Sequence, residues 1–165
     1  MTTYKELKNG DIIFCYHTEH PDRIHVAYYI GNNKLIESIP IAGVIISNIK
    51  HRDVMWNKLQ FGRIEGLTPL IYIKSIFYLL KTLGCRYQYW KIYSKADWNI
   101  NKIKAKSFYC SELIWVAIMN ATKGQLNISN SKKISGTEYE IITVEGLKRE
   151  NGGKVNIYKS VDLRD

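Results

Sequence analysis

The chain has 165 residues, a length that suits one domain with a sizeable core, so we treat residues 1–165 as a single unit. Apolar residues make up 45% of it and charged residues 24%, which argues against a disordered or fibrous chain. The formal net charge of +9 at pH 7 would suit an anionic partner such as nucleic acid, a membrane surface or an acidic polymer. Because the lysines are scattered along the chain, a solvated basic surface is the simpler interpretation.

The sequence lacks the features of exported, membrane-spanning and disulfide-rich proteins. Its first residues contain no apolar run of signal-peptide length, and its longest apolar run, residues 76–80, is too short to cross a bilayer. We therefore expect a cytoplasmic protein with no transmembrane segment, for which contact with a membrane surface stays open. Cys15, Cys85 and Cys110 are odd in number and far apart, which argues against a disulfide framework and a CxxC zinc site. We expect neither a metal nor a cofactor.

Strand-forming residues dominate the first part of the chain. Runs rich in β-branched and aromatic residues predict strands at 12–16, 24–30, 34–39, 44–47 and, less regularly, 58–65. The sequence Gly31-Asn32-Asn33 tolerates positive φ, so residues 24–39 are predicted to form a β-hairpin.

The apolar period then becomes helical over residues 68–83. The residues that recur three or four apart are Leu70, Ile73, Phe77 and Leu80. Pro69 suits a first helical turn and Gly84 a C-terminal cap.

The second half of the chain is predicted to hold one more helix among irregular segments. Residues 85–106 are irregular and aromatic, and a helix is predicted from Tyr109 or Cys110 to about residue 121. A polar loop at 124–135, an extended segment at 141–144, a helical turn at 145–150 and a strand at 155–158 follow. This order predicts an α+β domain in which helices pack on an antiparallel sheet or partial barrel.

Cys110 is placed at the start of the second predicted helix. A cysteine in a first helical turn lies beside unpaired backbone N–H groups and the positive end of the helix dipole. Both favour the thiolate, which is the nucleophilic form of cysteine. The competing interpretation is that Cys110 is a small buried apolar residue, as most free cysteines are.

His25 and Glu37 are the candidates to activate this thiol. His25 begins one strand of the predicted hairpin, and Glu37 interrupts the apolar pattern of the other strand. Pairing of Ile30 with Leu35 would put the two side chains on opposite faces of the sheet. Pairing of Ile30 with Lys34 across a three-residue loop would set Ala27 opposite Glu37 and place His25 diagonally on the same face. We predict the second register, in which the carboxylate orients the imidazole.

Six short motifs, in order along the chain, resemble the NlpC/P60 superfamily of papain-like thiol peptidases and amidases. They are GDIIF at residues 10–14, HVAYYIG at 25–31, LIES at 35–38, LGCRY at 83–87, FYCSEL at 108–113 and ITVEGL at 142–147. The order histidine, polar residue, cysteine resembles the circularly permuted YiiX/YebB-like branch, which is related to the lecithin–retinol acyltransferase group. Glu112 in place of the glycine of cell-wall hydrolases also favours that branch.

The resemblance implies a permuted papain-like fold and a catalytic triad. Cys110 would be the nucleophile, His25 the general base and acid, and Glu37 the residue that orients the imidazole. The backbone N–H of Cys110 would hold the oxyanion, with Tyr87 as the best side-chain candidate to assist. Further candidates for the substrate-binding surface are Tyr109, Tyr16, Tyr89, Trp90 and Trp115, of which core packing is favoured for Trp115.

The leading functional hypothesis is therefore a cysteine amidase or peptidase that acts on a small peptide or N-acyl amino acid through a thioester. A thiol acyltransferase or lipid esterase is the alternative from the same group. Two non-enzymatic hypotheses remain: a catalytically silent binding module, and a nucleic-acid-binding domain. The last is disfavoured because no nucleic-acid motif is present. The oligomeric state is not predicted.

Overall fold

A computed structural model of the chain describes residues 4–89, 94–95, 107–131 and 139–164. The strands are β1 (Ile12–Tyr16), β2 (Ile24–Gly31), β3 (Lys34–Ile39), β4 (Gly43–Asn48), β5 (Lys58–Ile64), β6 (Arg86–Tyr87), β7 (Ser94–Lys95), β8 (Ser107–Phe108), β9 (Tyr139–Glu140) and β10 (Val155–Asp162). The described residues also form the α-helices α1 (Pro69–Lys81) and α2 (Cys110–Ala121) and 3-10 helices at Ile49–Val54, Glu145–Leu147 and Arg149–Asn151.

One six-stranded antiparallel sheet organises the domain, in the order β10-β5-β1-β2-β3-β4. Two small pairs accompany it: β6 with β8, which are parallel, and β7 with β9, which are antiparallel. The protein is therefore a mixed α+β domain built on an antiparallel sheet, as the sequence predicts.

The two faces of the sheet bury different sets of side chains. Alternate residues of each strand point to opposite faces. One face carries Phe14, Val26 and Ile36 and packs with α2 in the larger core cluster, whereas the other carries Ile13 and Leu35 in a second cluster. Helix α2 is buried along nearly its whole length, with only one of its twelve residues exposed. A helix that is apolar on all sides is stable only in such a position, and this burial fixes its first residue, Cys110.

Helix α1 forms as predicted, but the apolar stripe that identifies it faces solvent. Thr68 caps its start by accepting a hydrogen bond from the N–H of Ile71. The buried positions are instead Ser75, Tyr78 and Leu79, and the Ser75 hydroxyl shares a hydrogen bond of 2.9 Å with Tyr28 of β2. Because α1 is apolar almost all round, its periodicity could not decide which stripe would be buried. Gly84 is not the C-terminal cap: the cap is Thr82, and the Gly84 N–H donates to the Val44 carbonyl.

The predicted extended segment at 141–144 pairs with none of the strands in the described residues. Its backbone is hydrogen-bonded to side chains at the start of α2. The Ile142 N–H donates to the Tyr109 hydroxyl, and the Ile142 carbonyl accepts from the Ser111 hydroxyl. The helical turn at 145–150 is confirmed as two short 3-10 helices, and the last strand is longer than predicted, reaching Asp162. Residues 124–131 carry no helix or strand, while the rest of that predicted loop and most of the predicted irregular segment 85–106 lie outside the described residues.

Candidate active site

The β2–β3 hairpin brings His25 and Glu37 together, through a turn that differs from the predicted one. Asn32 and Asn33, both at positive φ, form a two-residue turn closed by the pair Gly31–Lys34 instead of a three-residue loop. A bulge between Tyr29 and Gly31 then shifts the register, so that Tyr29 pairs with Leu35. This pairing has the same register as the predicted one, in which Ile30 pairs with Lys34 and Ala27 is set opposite Glu37. Glu37 and His25 therefore lie on the same face.

His25 and Glu37 form a buried hydrogen-bonded pair. The distance from Nε2 of His25 to Oε2 of Glu37 is 3.1 Å, and the side chains are 7% and 3% exposed. The regular β2–β3 pairing ends at Tyr28–Ile36, so His25 lies beyond it, where the two strands no longer share a ladder. Since Nε2 is engaged by the carboxylate, Nδ1 is the ring nitrogen left for a second partner.

Cys110 is that second partner. It is the first residue of α2, with Tyr109 as the N-cap in extended conformation, and it is buried. The imidazole of His25 and the backbone N–H groups of Val26 and Ser111 lie close enough to its sulfur to lower the pKa of the thiol. Helix α2 contacts β2 and β3 and begins at Cys110, and this position at the start of a helix is the one that the sequence predicts.

The charges of the three groups support one another. Burial alone would raise the pKa of Cys110, but the hydrogen bond and charge of His25, together with the two backbone N–H groups, lower it. Burial alone would lower the pKa of His25, yet its contacts with Cys110 and Glu37 raise it to about 9. The pKa of Glu37 is lowered to about 2, because His25 and Arg52 outweigh the burial of the carboxylate. These directions favour a thiolate–imidazolium pair backed by an ionised carboxylate.

Arg52 holds the far side of Glu37 and was not predicted from the sequence. It lies on the 3-10 helix Ile49–Val54, is 7% exposed, and donates from Nη2 to Oε2 of Glu37 and, at 2.7 Å, to the Ser47 hydroxyl. Ser47 in turn donates to Oε1 of Glu37 at 3.0 Å. Glu37 therefore has donors on both oxygens, which restricts its rotation and that of His25. A buried carboxylate requires a counter-charge, and this requirement is the one signal in the sequence that could have pointed to Arg52.

Trp56 covers the imidazole and was also missed. Its ring lies nearly parallel to that of His25, with centroids 5.8 Å apart and an interplanar angle of 11°. Such stacking limits the access of water to His25 and favours the protonated ring, whose positive charge attracts the aromatic face. Nothing in the local sequence pairs Trp56 with His25, because the two residues meet only through the tertiary fold.

The candidates for the oxyanion and substrate-binding surface have different positions. Tyr87 lies on β6, half-buried, and burial followed by the charge of Cys110 raises its pKa to about 12, which keeps its hydroxyl protonated as a donor. It contacts Tyr89 edge-on, with centroids 5.1 Å apart, and Tyr89 is exposed. Tyr87 therefore lies close enough to Cys110 for the charge of the thiolate to act on its hydroxyl, and Tyr89 packs against Tyr87.

Of the other aromatic candidates, Tyr109 and Trp115 are buried, Tyr16 is partly buried, and Trp90 lies outside the described residues. Tyr109 is buried, and its hydroxyl accepts from the Ile142 N–H, so its side chain serves the fold. Tyr16 donates its hydroxyl to Glu145 at 2.9 Å. Trp115 is fully buried, as favoured, and Trp90 falls outside the described residues.

No metal centre accompanies these groups in the part of the chain that the structure describes: no three of its His, Cys, Asp and Glu residues form a cluster suited to a metal ion. Comparisons of the chain with protein-family models, with curated proteins and with solved structures found no match. The geometry of the site is therefore the basis for a functional interpretation.

Proposed function

We propose that this protein is a cysteine hydrolase that cleaves an amide bond of a small peptide or an N-acyl amino acid through a thioester intermediate. The observation that carries the proposal is the buried group of Cys110, His25 and Glu37, in which His25 is hydrogen-bonded to Glu37 and lowers the pKa of the Cys110 thiol. A nucleophile, a base and a group that orients the base are the three parts that this chemistry requires.

The reaction begins with the thiolate of Cys110, whose proton already resides on His25. The sulfur attacks the carbonyl carbon of the amide, and the developing oxyanion is held by the backbone N–H of Cys110, at the positive end of α2, with Tyr87 as the side-chain donor. His25 gives its proton to the leaving amine as the C–N bond breaks, which leaves an acyl thioester on Cys110.

Water completes the cycle. His25, now neutral, removes a proton from a water molecule, and the resulting attack on the thioester releases the carboxylic acid and regenerates the thiolate–imidazolium pair. Glu37 stabilises the imidazolium in both halves of the reaction, and Arg52 and Ser47 keep that carboxylate ionised and in place.

The resemblance of six motifs to the NlpC/P60 superfamily supports the same proposal, and with it a circularly permuted papain-like arrangement of the fold. The motifs account for the triad positions. They do not account for Arg52 and Trp56, which this proposal adds as positioning residues.

The test is the pH dependence of alkylation by iodoacetamide, read by peptide mass spectrometry in wild type, His25→Ala and Glu37→Ala. Cys110 should react rapidly well below pH 8, and His25→Ala should abolish this. Cys85, which is partly exposed, and Cys15, whose pKa burial raises to about 12, are internal controls. Should Cys110 react no faster than Cys85 at pH 6, the proposed chemistry is wrong and a silent binding module on this fold becomes the better hypothesis.

A further inference from the structure

The solvent-facing side of α1 is an apolar stripe. Its members are spaced for one helical face and are 60%, 49%, 65% and 45% exposed, in the order Leu70, Ile73, Phe77 and Leu80. Leu83, just beyond the helix, is 40% exposed and extends the apolar surface. Single exposed apolar residues are common on proteins, but a contiguous row of large ones marks an interaction surface.

The part of the sequence that contains α1 carries most of the net positive charge. Residues 66–106 contain eight of the 24 Lys and Arg residues and one of the 15 Asp and Glu residues, which gives this stretch +7 of the net charge of +9. Two of these cations, Lys74 and Lys81, are exposed on α1 itself, which has no acidic residue. An apolar helical stripe bordered by lysines is typical of helices that lie in the interface of an anionic membrane.

The chain that follows α1 connects it to the candidate active site. At the end of α1, the Gly84 N–H donates to the Val44 carbonyl at 3.0 Å and the Val44 N–H donates to the Cys85 carbonyl at 2.9 Å. Strand β6 follows immediately and pairs with β8, the segment that enters α2 at Cys110. The C-terminal end of α1 is therefore linked to the start of α2 through β6 and β8.

We propose that α1 docks this protein on an anionic membrane surface, with its apolar stripe inserted among the headgroups and its lysines against acidic lipids. No helix in the described ranges is both long and apolar enough to cross a bilayer, so the contact is peripheral. Nucleic acid would neutralise the charge but leave the apolar stripe in water, and a second copy of the chain would bring the lysines of two α1 helices against each other. An anionic bilayer satisfies both features. This docking does not depend on the chemistry proposed for Cys110.

The experiment is co-sedimentation of the full chain with sucrose-loaded vesicles of phosphatidylcholine containing 30% phosphatidylserine, compared with pure phosphatidylcholine. Ile73→Gln/Phe77→Gln replaces two members of the stripe with glutamine, a polar residue that is also a good helix former. Val54→Gln/Met55→Gln is the matched control, because those side chains are 82% and 69% exposed outside α1. We expect binding to the anionic vesicles only, a loss of about tenfold or more in partitioning for the stripe variant, and no change for the control. Cys110→Ala should bind like wild type.

The outcomes that would overturn the proposal are distinct. Failure of the wild type to sediment with anionic vesicles, or equal losses in the stripe variant and the control, would do so. Displacement from the vesicles by equimolar RNA would favour nucleic acid as the partner. A concentration-dependent dimer that Ile73→Gln/Phe77→Gln dissolves, without vesicle binding, would assign the stripe to a second copy. None of these results bears on the reactivity of Cys110, so docking and catalysis fail separately.

Discussion

Removal of the negative charge of Glu37 should weaken the thiolate of Cys110 without dismantling the site. In Glu37→Gln the amide oxygen still accepts hydrogen bonds from His25 and Arg52, but the charge that favours the imidazolium is gone. The rise in the pKa of His25 from 6.5 to about 9 corresponds to about 3 kcal/mol in favour of the protonated ring. Cys110 and Glu37 together produce this rise against the effect of burial, so loss of the Glu37 charge should lower the pKa of His25; a fall of one unit corresponds to about 1.4 kcal/mol, or about tenfold in the population of the pair.

The expected result is therefore an alkylation rate of Cys110 at pH 6 that is about tenfold lower than in wild type, with a rate at high pH that is close to it. Iodoacetamide labelling followed by mass spectrometry measures this, with circular dichroism to verify folding. Ser47→Ala is the matched control: it removes a hydrogen bond of 3.0 Å to the same carboxylate but leaves its charge, so its rate should fall by less than about threefold. Equal rates for wild type and Glu37→Gln at pH 6 would refute the reasoning.

Three further predictions concern neighbouring groups. Trp56→Ala, which removes the ring stacked on His25, should lower the alkylation rate of Cys110 at pH 6 by about fivefold, and an unchanged rate would assign Trp56 to packing alone. The pKa of Glu37 is about 2 in the folded protein and 4.5 when unperturbed. The ionised carboxylate therefore stabilises the folded state above pH 4.5, and this stabilisation is lost as the pH falls through 2. Urea titrations should show this loss, about 3 kcal/mol, in wild type but not in Glu37→Gln/Arg52→Met. Asp11→Asn should lower the free energy of unfolding, measured by urea titration, by about 2 kcal/mol, because it weakens the hydrogen bonds to Arg63. It should leave the reactivity of Cys110 unchanged, and a fall in that reactivity would show that Asp11 also supports the site.

The strands and the start of α2 could be predicted because local signals determine them. Runs of β-branched residues mark the strands, and the polar lead-in before an apolar run marks Cys110 as the first residue of a helix. The shared face of His25 and Glu37 was predictable as well. The prediction held although the turn was wrong, because the bulge in β2 compensates for the shorter loop.

The remainder of the site depends on contacts that no local pattern encodes. Arg52 and Trp56 reach the triad from the 3-10 helix and the residue stretch after it, a segment for which the sequence predicted no regular structure. The buried side of α1 could not be predicted either, because both of its sides are apolar. Packing around Ser75 determines which side is buried. Tyr109, which precedes Cys110, was predicted to contact the substrate, but its hydroxyl accepts a hydrogen bond from the Ile142 N–H.

The central claim is that Cys110 forms a thioester, and trapping that acyl-enzyme tests it most directly. The protein would be mixed with p-nitrophenyl hexanoate, quenched in acid and digested, and the Cys110 peptide weighed by mass spectrometry. The account predicts one hexanoyl group on Cys110 with a matching burst of p-nitrophenol in wild type, and neither in Cys110→Ala or His25→Ala. A wild-type protein that carries no acyl group on Cys110, or that acylates equally well without His25, would contradict the account.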